Sequence, residues 1–220
     1  MGLQSIQLKN IMITKVNEFW VPENDIHIED WKSGKPFTQN KCLIQFKEWC
    51  RTQDKKFKTV IDVGAWCGTW AVEMQQFCDR LQAFEPNALN FKCLEQNISK
   101  YNNINCYQFA LGDKETMLSI TEDQFTQAIR IDEKEGKIPV KTIDSFGWTD
   151  VDLIKIDVEG YEMKVLEGAN DTLENVKFIM IELNNNTKKY GSSNGKIEEH
   201  LKELGFYEII NIWPDKVYCR

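Results

Sequence analysis

The chain has 220 residues, 42% of them hydrophobic and 28% charged, which suits one well-buried soluble core and is short for two. A net charge of −7 argues against a broad nucleic-acid footprint, which needs clustered Lys and Arg, and no apolar run approaches the roughly 18 residues of a membrane span. Seven cysteines without a C-x-x-C pair, and only two histidines, His27 and His200, argue against a structural zinc site.

The opening MGLQSIQLKN lacks the basic flank and apolar block of a secretory signal, and Ile6 stands where myristoylation requires Ser or Thr; a cytoplasmic location is expected. Residues 11–21 are β-prone and run into the polar, turn-rich PENDIHIEDWKSGKP. From 38 to 51 the apolar residues Leu43, Phe46 and Cys50 recur at helical spacing. Residues 1–56 therefore read as an N-terminal extension or cap in front of a domain covering 57–220.

Within that domain strands and helices alternate. Residues 59–63 form a short β-branched run ending at Gly64, 70–78 repeat Ala71, Met74 and Phe77 as a helix would, and 81–84 form a second strand closed by Glu85-Pro86. Phe91, Leu94, Ile98 and Tyr101 mark a second helix face, and 106–110 a third strand. Residues 113–144 break the rhythm and read as an inserted hairpin or lid, with strands at 117–120 and 138–140 around a charged, Gln-rich loop. The rhythm resumes with a strand at 153–158, a helix from 161 to about 173, a strand at 178–183 and a helix marked by Ile197, Leu201 and Leu204. Residues 206–212 and 217–219 suit a closing hairpin around Pro214-Asp215. Such alternation predicts an α/β fold with a doubly wound, mostly parallel sheet and an antiparallel C-terminal edge.

Two motifs carry chemistry. In VIDVGAWCG, residues 60–68, a buried strand runs into Gly64-x-x-x-Gly68 and then a helix, and glycine lets the backbone approach a ligand closely. The dinucleotide fingerprint G-x-G-x-x-G, which sets a helix start against a pyrophosphate, is absent. S-adenosylmethionine (SAM) has no pyrophosphate, but offers an ammonium, a carboxylate and two ribose hydroxyls. Asp62 suits the ammonium, directly or through water, and Glu85 at the end of the second strand suits the ribose. In LIKIDVEGYE, residues 153–162, the alternation puts Lys155, Asp157 and Glu159 on one face of a strand expected to be apolar on both. Glu182, in the following FIMIELN strand, and Asn184 could converge with them. An ion-pair network that only stiffens the sheet is the competing reading.

VIDVGAWCG, AFEPN, ALGD at 110–113, TID at 142–144, IKIDVEGYE and MIEL at 180–183 occur in an order that resembles FkbM-type methyltransferases, over about residues 57–185. The resemblance implies a Rossmann-like (class I methyltransferase) domain that uses SAM, and usually O-methylation of a small-molecule or sugar hydroxyl. By it, Asp62, Gly64, Trp66 and Gly68 hold the methionine part and Glu85 the ribose, while Asn87 and Leu111 lie near the nucleoside, Leu111 against the adenine. Asp157 falls between cofactor and acceptor. Trp66 stands where the family commonly has Asn, and Tyr161 where it has a small residue.

Methyl transfer to a hydroxyl gains from a base, and Asp157 and Glu159, then Glu182, are the candidates. No metal ligand set is expected. A Mg²⁺-assisted transfer through Asp157, Glu159, Glu182 or Asn184, and a SAM- or nucleotide-binding module without catalysis, are the alternatives. Trp20, Trp31, Trp66, Trp70 and Trp148 suit either an acceptor site or core and loop packing. No nucleic-acid or membrane partner is expected.

Overall fold

The structure, a computed structural model, describes residues 12–35, 41–121 and 130–220. Strands β1 (Ile13–Val16) and β2 (Phe19–Pro22) pair antiparallel around a turn in which Asn17 takes a φ of 53°. They are followed by helices α1 (Ile28–Lys32) and α2 (Lys41–Thr52). The first positions of both expected segments, at 11 and 38, lie outside the described residues.

The main unit begins with β3 (Phe57–Val63), α3 (Thr69–Met74), β4 (Cys78–Phe84), α4 (Ala88–Ile98) and β5 (Ile104–Tyr107). The short strands β6 (Ala110–Leu111), β7 (Thr116–Thr121), β8 (Arg130–Glu135) and β9 (Ile138–Lys141) come next. The chain then returns through β10 (Val151–Ile156), α5 (Glu162–Glu167), α6 (Asn170–Leu173), β11 (Phe178–Glu182), α7 (Asn194–Glu203), β12 (Tyr207–Ile212) and β13 (Asp215–Cys219).

The expected Rossmann-like α/β architecture is present. A seven-stranded sheet runs β12-β13-β11-β10-β3-β4-β5, parallel from β11 to β5. The C-terminal hairpin closes one edge, its last strand β13 inserted antiparallel between β11 and β12. The chain leaves β3 outward through β4 and β5, then crosses back to lay β10 on the other side of β3. Strand order thus reverses between β3 and β10, and a crevice opens at their carboxyl ends. One core packs α2, α3 and α4 on one face through Phe46, Met74 and Leu94; the other packs α5 to α7 through Leu166, Leu173 and Leu201. The first contains an aromatic group, with Phe46 against Trp49, Phe57 and Phe178.

Several elements differ from the periodicity. The helix at 70–78 stops at Met74, turns once more as a 3-10 helix, and releases Cys78 into β4. The third strand is Ile104–Tyr107 rather than 106–110; Ala110 and Leu111 leave the main sheet and pair with β9. The helix at 161–173 is two short helices broken at Gly168-Ala169, where Gly168 packs so tightly on Gly112 that a Cβ would lie 1.9 Å from its carbonyl oxygen. The insertion is more than a hairpin: β8 occupies part of the expected loop, giving a second sheet ordered β6-β9-β7-β8. The sequence of β8, RIDEKE, carries one apolar residue and so lacks the alternation that marks a strand.

Candidate active site

A cavity of about 330 Å³ lies where β3, β4, β10 and β11 end. The glycine turn after β3 forms one wall. Gly64 takes a φ of +79°, and a Cβ there would sit 1.9 Å from Asp157 O, so the first motif touches the backbone of the second. The amides of Gly64 and Ala65 donate to Phe84 O at 3.0 and 2.9 Å, which fastens the turn to β4. Trp66 takes a φ of 49° and donates its backbone N–H to Glu85 Oε2 at 2.9 Å. The other oxygen, Oε1, accepts from Asn87 N at 2.9 Å. Glu85 is 5% exposed, and burial pushes its carboxyl up to about 7 against the opposing pull of those two amides.

Gly64, Trp66, Glu85 and Leu111 line the cavity; Asp62, Gly68 and Asn87 shape it from behind. Asn87 uses its side-chain oxygen to cap α4, accepting from Leu89 N and Asn90 N. Gly68 lets α3 meet α4, since a Cβ would come within 2.6 Å of Leu94 Cδ1. Asp62 is fully buried, and neither carboxylate oxygen receives a hydrogen bond. Its charge is met by Lys155, whose Nζ lies 3.1 Å from Asp62 Oδ1. Burial raises the Asp62 carboxyl and Lys155 opposes it.

The second motif departs from the simple strand. β10 ends at Ile156, and Asp157 continues its ladder by one bond, donating its N–H to Val63 O at 3.0 Å. Glu159 then adopts a φ of 55° and Gly160 a φ of 113°. Asp157 and Glu159 are therefore not on one face of an extended strand; Glu159 sits in a left-handed turn beyond it. A Cβ on Gly160 would meet the Asn186 backbone at 2.7 Å, and the turn is pinned by Gly160 N donating to Glu162 Oε1 at 2.8 Å. Glu162 is fully buried, which pushes its carboxyl up to about 7.

Asp157, Glu159 and Glu182 all line the cavity, joined by Asp215 from β13, which is in register with Glu182. Glu159 Oε2 accepts from Asn186 Nδ2 at 2.9 Å and Asn184 Nδ2 at 3.2 Å; Asn184 also donates to Glu182 Oε2 at 2.8 Å. Burial, then repulsion from Asp157, Glu159 and Asp215, push the Glu182 carboxyl up to about 9. Asn186 and Glu162 were missed in the sequence; the Asn-Asn-Asn run at 184–186 beside two carboxylate motifs was the available signal.

The inserted sheet contributes Ile120 and Ile131 to the cavity wall, and Tyr190 OH donates to Ile131 O at 2.6 Å. Of the tryptophans considered, Trp66 and Trp70 line the cavity. Trp31 packs on Trp66 and Trp148 stacks on Phe146, while the Trp20 backbone is bound by Asn97 of α4. Among the described residues no group of three or more His, Cys, Asp or Glu side chains is arranged to hold a metal ion, and no helix is long and apolar enough to cross a membrane.

Residues 62–207 match the family described as Methyltransferase FkbM domain. The chain belongs to the FkbM methyltransferase family. The family is one of methyltransferases, and membership implies SAM as methyl donor and a methyl acceptor. "Methyltransferase 1" of Beauveria bassiana (strain ARSEF 2860) is 26% identical, the match covering 51% of this chain and 58% of that protein. The crystal structure of methyltransferase FkbM from Methylobacillus flagellatus KT superposes with a TM-score of 0.52 at 17% identity, covering 74% of this chain and 44% of that one, and shares the fold. The chain thus spans about half the length of these two relatives.

Proposed function

We propose that this chain transfers the methyl group of SAM to a hydroxyl of a small-molecule or sugar acceptor, with residues 57–220 as the catalytic unit and 1–56 as its cap. The observation that carries the reading is one cavity lined by Glu85 together with Asp157, Glu159 and Glu182. The residues present fit SAM. A carboxylate offers about four lone-pair positions; Glu85 uses two on backbone amides and one on the Asn90 side chain, which leaves one for a ribose hydroxyl. Leu111 supplies an apolar surface for the adenine, and the glycine turn from Gly64 to Gly68, with Trp66, borders the methionine end. Asp62, wholly buried under Lys155, acts on that end from behind the wall rather than by contact.

When bound, SAM supplies a sulfonium with a good leaving group, so the protein's share is to position, exclude water and accept a proton. Asp157, whose side chain keeps 40% of its surface exposed, is the proposed base for the acceptor hydroxyl. Glu159, clasped by two asparagine amides, orients the acceptor. Glu182 is neutral near pH 7 and serves as a hydrogen-bond donor beside them. Ile120 and Ile131 shield the cavity from water. Incubation with SAM and a panel of hydroxylated and amine-bearing acceptors, read by S-adenosylhomocysteine release and product mass, tests the reading. Transfer to nitrogen with none to oxygen would overturn it.

A further inference from the structure

Lys155 is the penultimate residue of the central strand β10, with Asp62 of β3 on one side and Met180 of β11 on the other. Its neighbours Leu153, Ile154 and Ile156 are fully buried, as a strand covered on both faces requires. A lysine that is 7% exposed is out of place in such a strand unless its charge is used. Its Nζ donates to Gly64 O at 2.7 Å and lies 3.1 Å from Asp62 Oδ1 and 3.4 Å from Asp157 Oδ2. Its ammonium thus gives one hydrogen bond to the glycine turn and sits between two carboxylates as their shared counter-charge. The partners come from different places: the end of β3, the glycine turn, and the residue just past β10. Stability alone is a weak explanation, because a buried ion pair is often no better than a well-packed apolar pair.

We propose that Lys155 is a positioning residue for methyl transfer, a single charge that fixes the turn at Gly64, the Asp62 carboxylate and Asp157 in one arrangement. The inference rests on the reading of the cavity as the SAM site. A compact ammonium at the tip of a flexible stem suits this three-way contact better than a planar guanidinium. The methionine side of the cavity and the proposed base are then set together, while Glu85 is held by the amides of Trp66 and Asn87 and by the Asn90 side chain, and the charge of Lys155 reaches its carboxyl only as the weakest of these influences.

That division supplies the test. Lys155→Met, of similar length and uncharged, is compared with wild type for binding of S-adenosylhomocysteine and of adenosine, which lacks the methionine end. The expected result is a loss of S-adenosylhomocysteine affinity of about tenfold or more with adenosine affinity kept within about twofold. The rate at saturating SAM falls as well, since Asp157 is no longer held. Equal losses for both ligands would mean that Lys155 only supports the fold, and unchanged S-adenosylhomocysteine binding would remove the positioning role; either overturns the proposal. Should Lys155→Met not fold, Lys155→Met/Asp157→Asn, which removes a carboxylate along with the cation, is judged on the same binding split. Wild-type protein that binds neither ligand overturns the reading of the cavity, and with it the role of Lys155.

Discussion

The backbone N–H of Trp66 and the carboxylate of Glu85 meet at 2.9 Å, so the turn after β3 is hydrogen-bonded to the residue that ends β4's run. The same carboxylate is buried and titrates at about 7. A ribose hydroxyl donates to its ionised form, so SAM affinity should rise with pH, by roughly tenfold from pH 6 to pH 8, as Glu85 loses its proton. Calorimetry across that range checks the slope, and Glu85→Gln should flatten it. Glu85→Ala should weaken SAM by about 1.5–3 kcal/mol through a lost charge-assisted hydrogen bond.

The ligand-free protein should lose stability as pH rises from 5 to 9. Glu85 and Glu162 are raised to about 7 and Glu182 to about 9, all from an ordinary value of 4.5. In that window the folded state holds more protons than the unfolded chain, so the free energy of unfolding falls with pH. For Glu85 alone the change is on the order of 3 kcal/mol, complete just above pH 7. Thermal melts in buffers matched for ionic strength read the trend. Glu162→Gln keeps an oxygen for Gly160 N and should flatten the curve between pH 5 and 7; a steeper fall in that variant would contradict the assignment.

Asp157→Asn and Glu182→Gln should behave differently although both remove a carboxyl from the same cavity. Asp157→Asn should keep the fold and reduce the methyl-transfer rate by on the order of a hundredfold or more. Glu182 is already protonated near pH 7, so Glu182→Gln replaces a neutral donor by another and should cost less than about tenfold. Single-turnover rates on the same acceptor separate the two. Equal losses would mean that Glu182 works as a carboxylate.

Gly64→Ala should damage both stability and binding. The new Cβ would lie 1.9 Å from backbone at Asp157 and force a left-handed conformation at φ +79° on alanine. A loss of at least about 2 kcal/mol in urea unfolding is expected, with weaker SAM binding. Wild-type stability would show that the turn can move away from Asp157.

Turnover is expected to survive dialysis against a chelator, since Asn184 bridges Glu159 and Glu182 and Asn186 donates to Glu159 as well. Loss of activity restored by Mg²⁺ would turn those carboxylates into metal ligands.

The sequence by itself determined the alternation of strand and helix, the reversal of strand order it implies, and the glycine turn with an acid at the end of the next strand. These are written in short windows, where apolar period, β-branching and glycine act within a few residues. Only the tertiary structure decided what depends on distant segments. Lys155 finds Asp62 through the register of β10 on β3. Glu159 leaves the strand because Gly160 must clear the Asn186 backbone, and its clasp comes from asparagines beyond β11. β8 is a strand because β7 offers it an edge, with Ile131 opposite Ile120, and no local pattern announces it. The raised Glu182 carboxyl has the same origin: β10 and β11 end where β13 begins, and three other carboxylates converge on it in a place with little water.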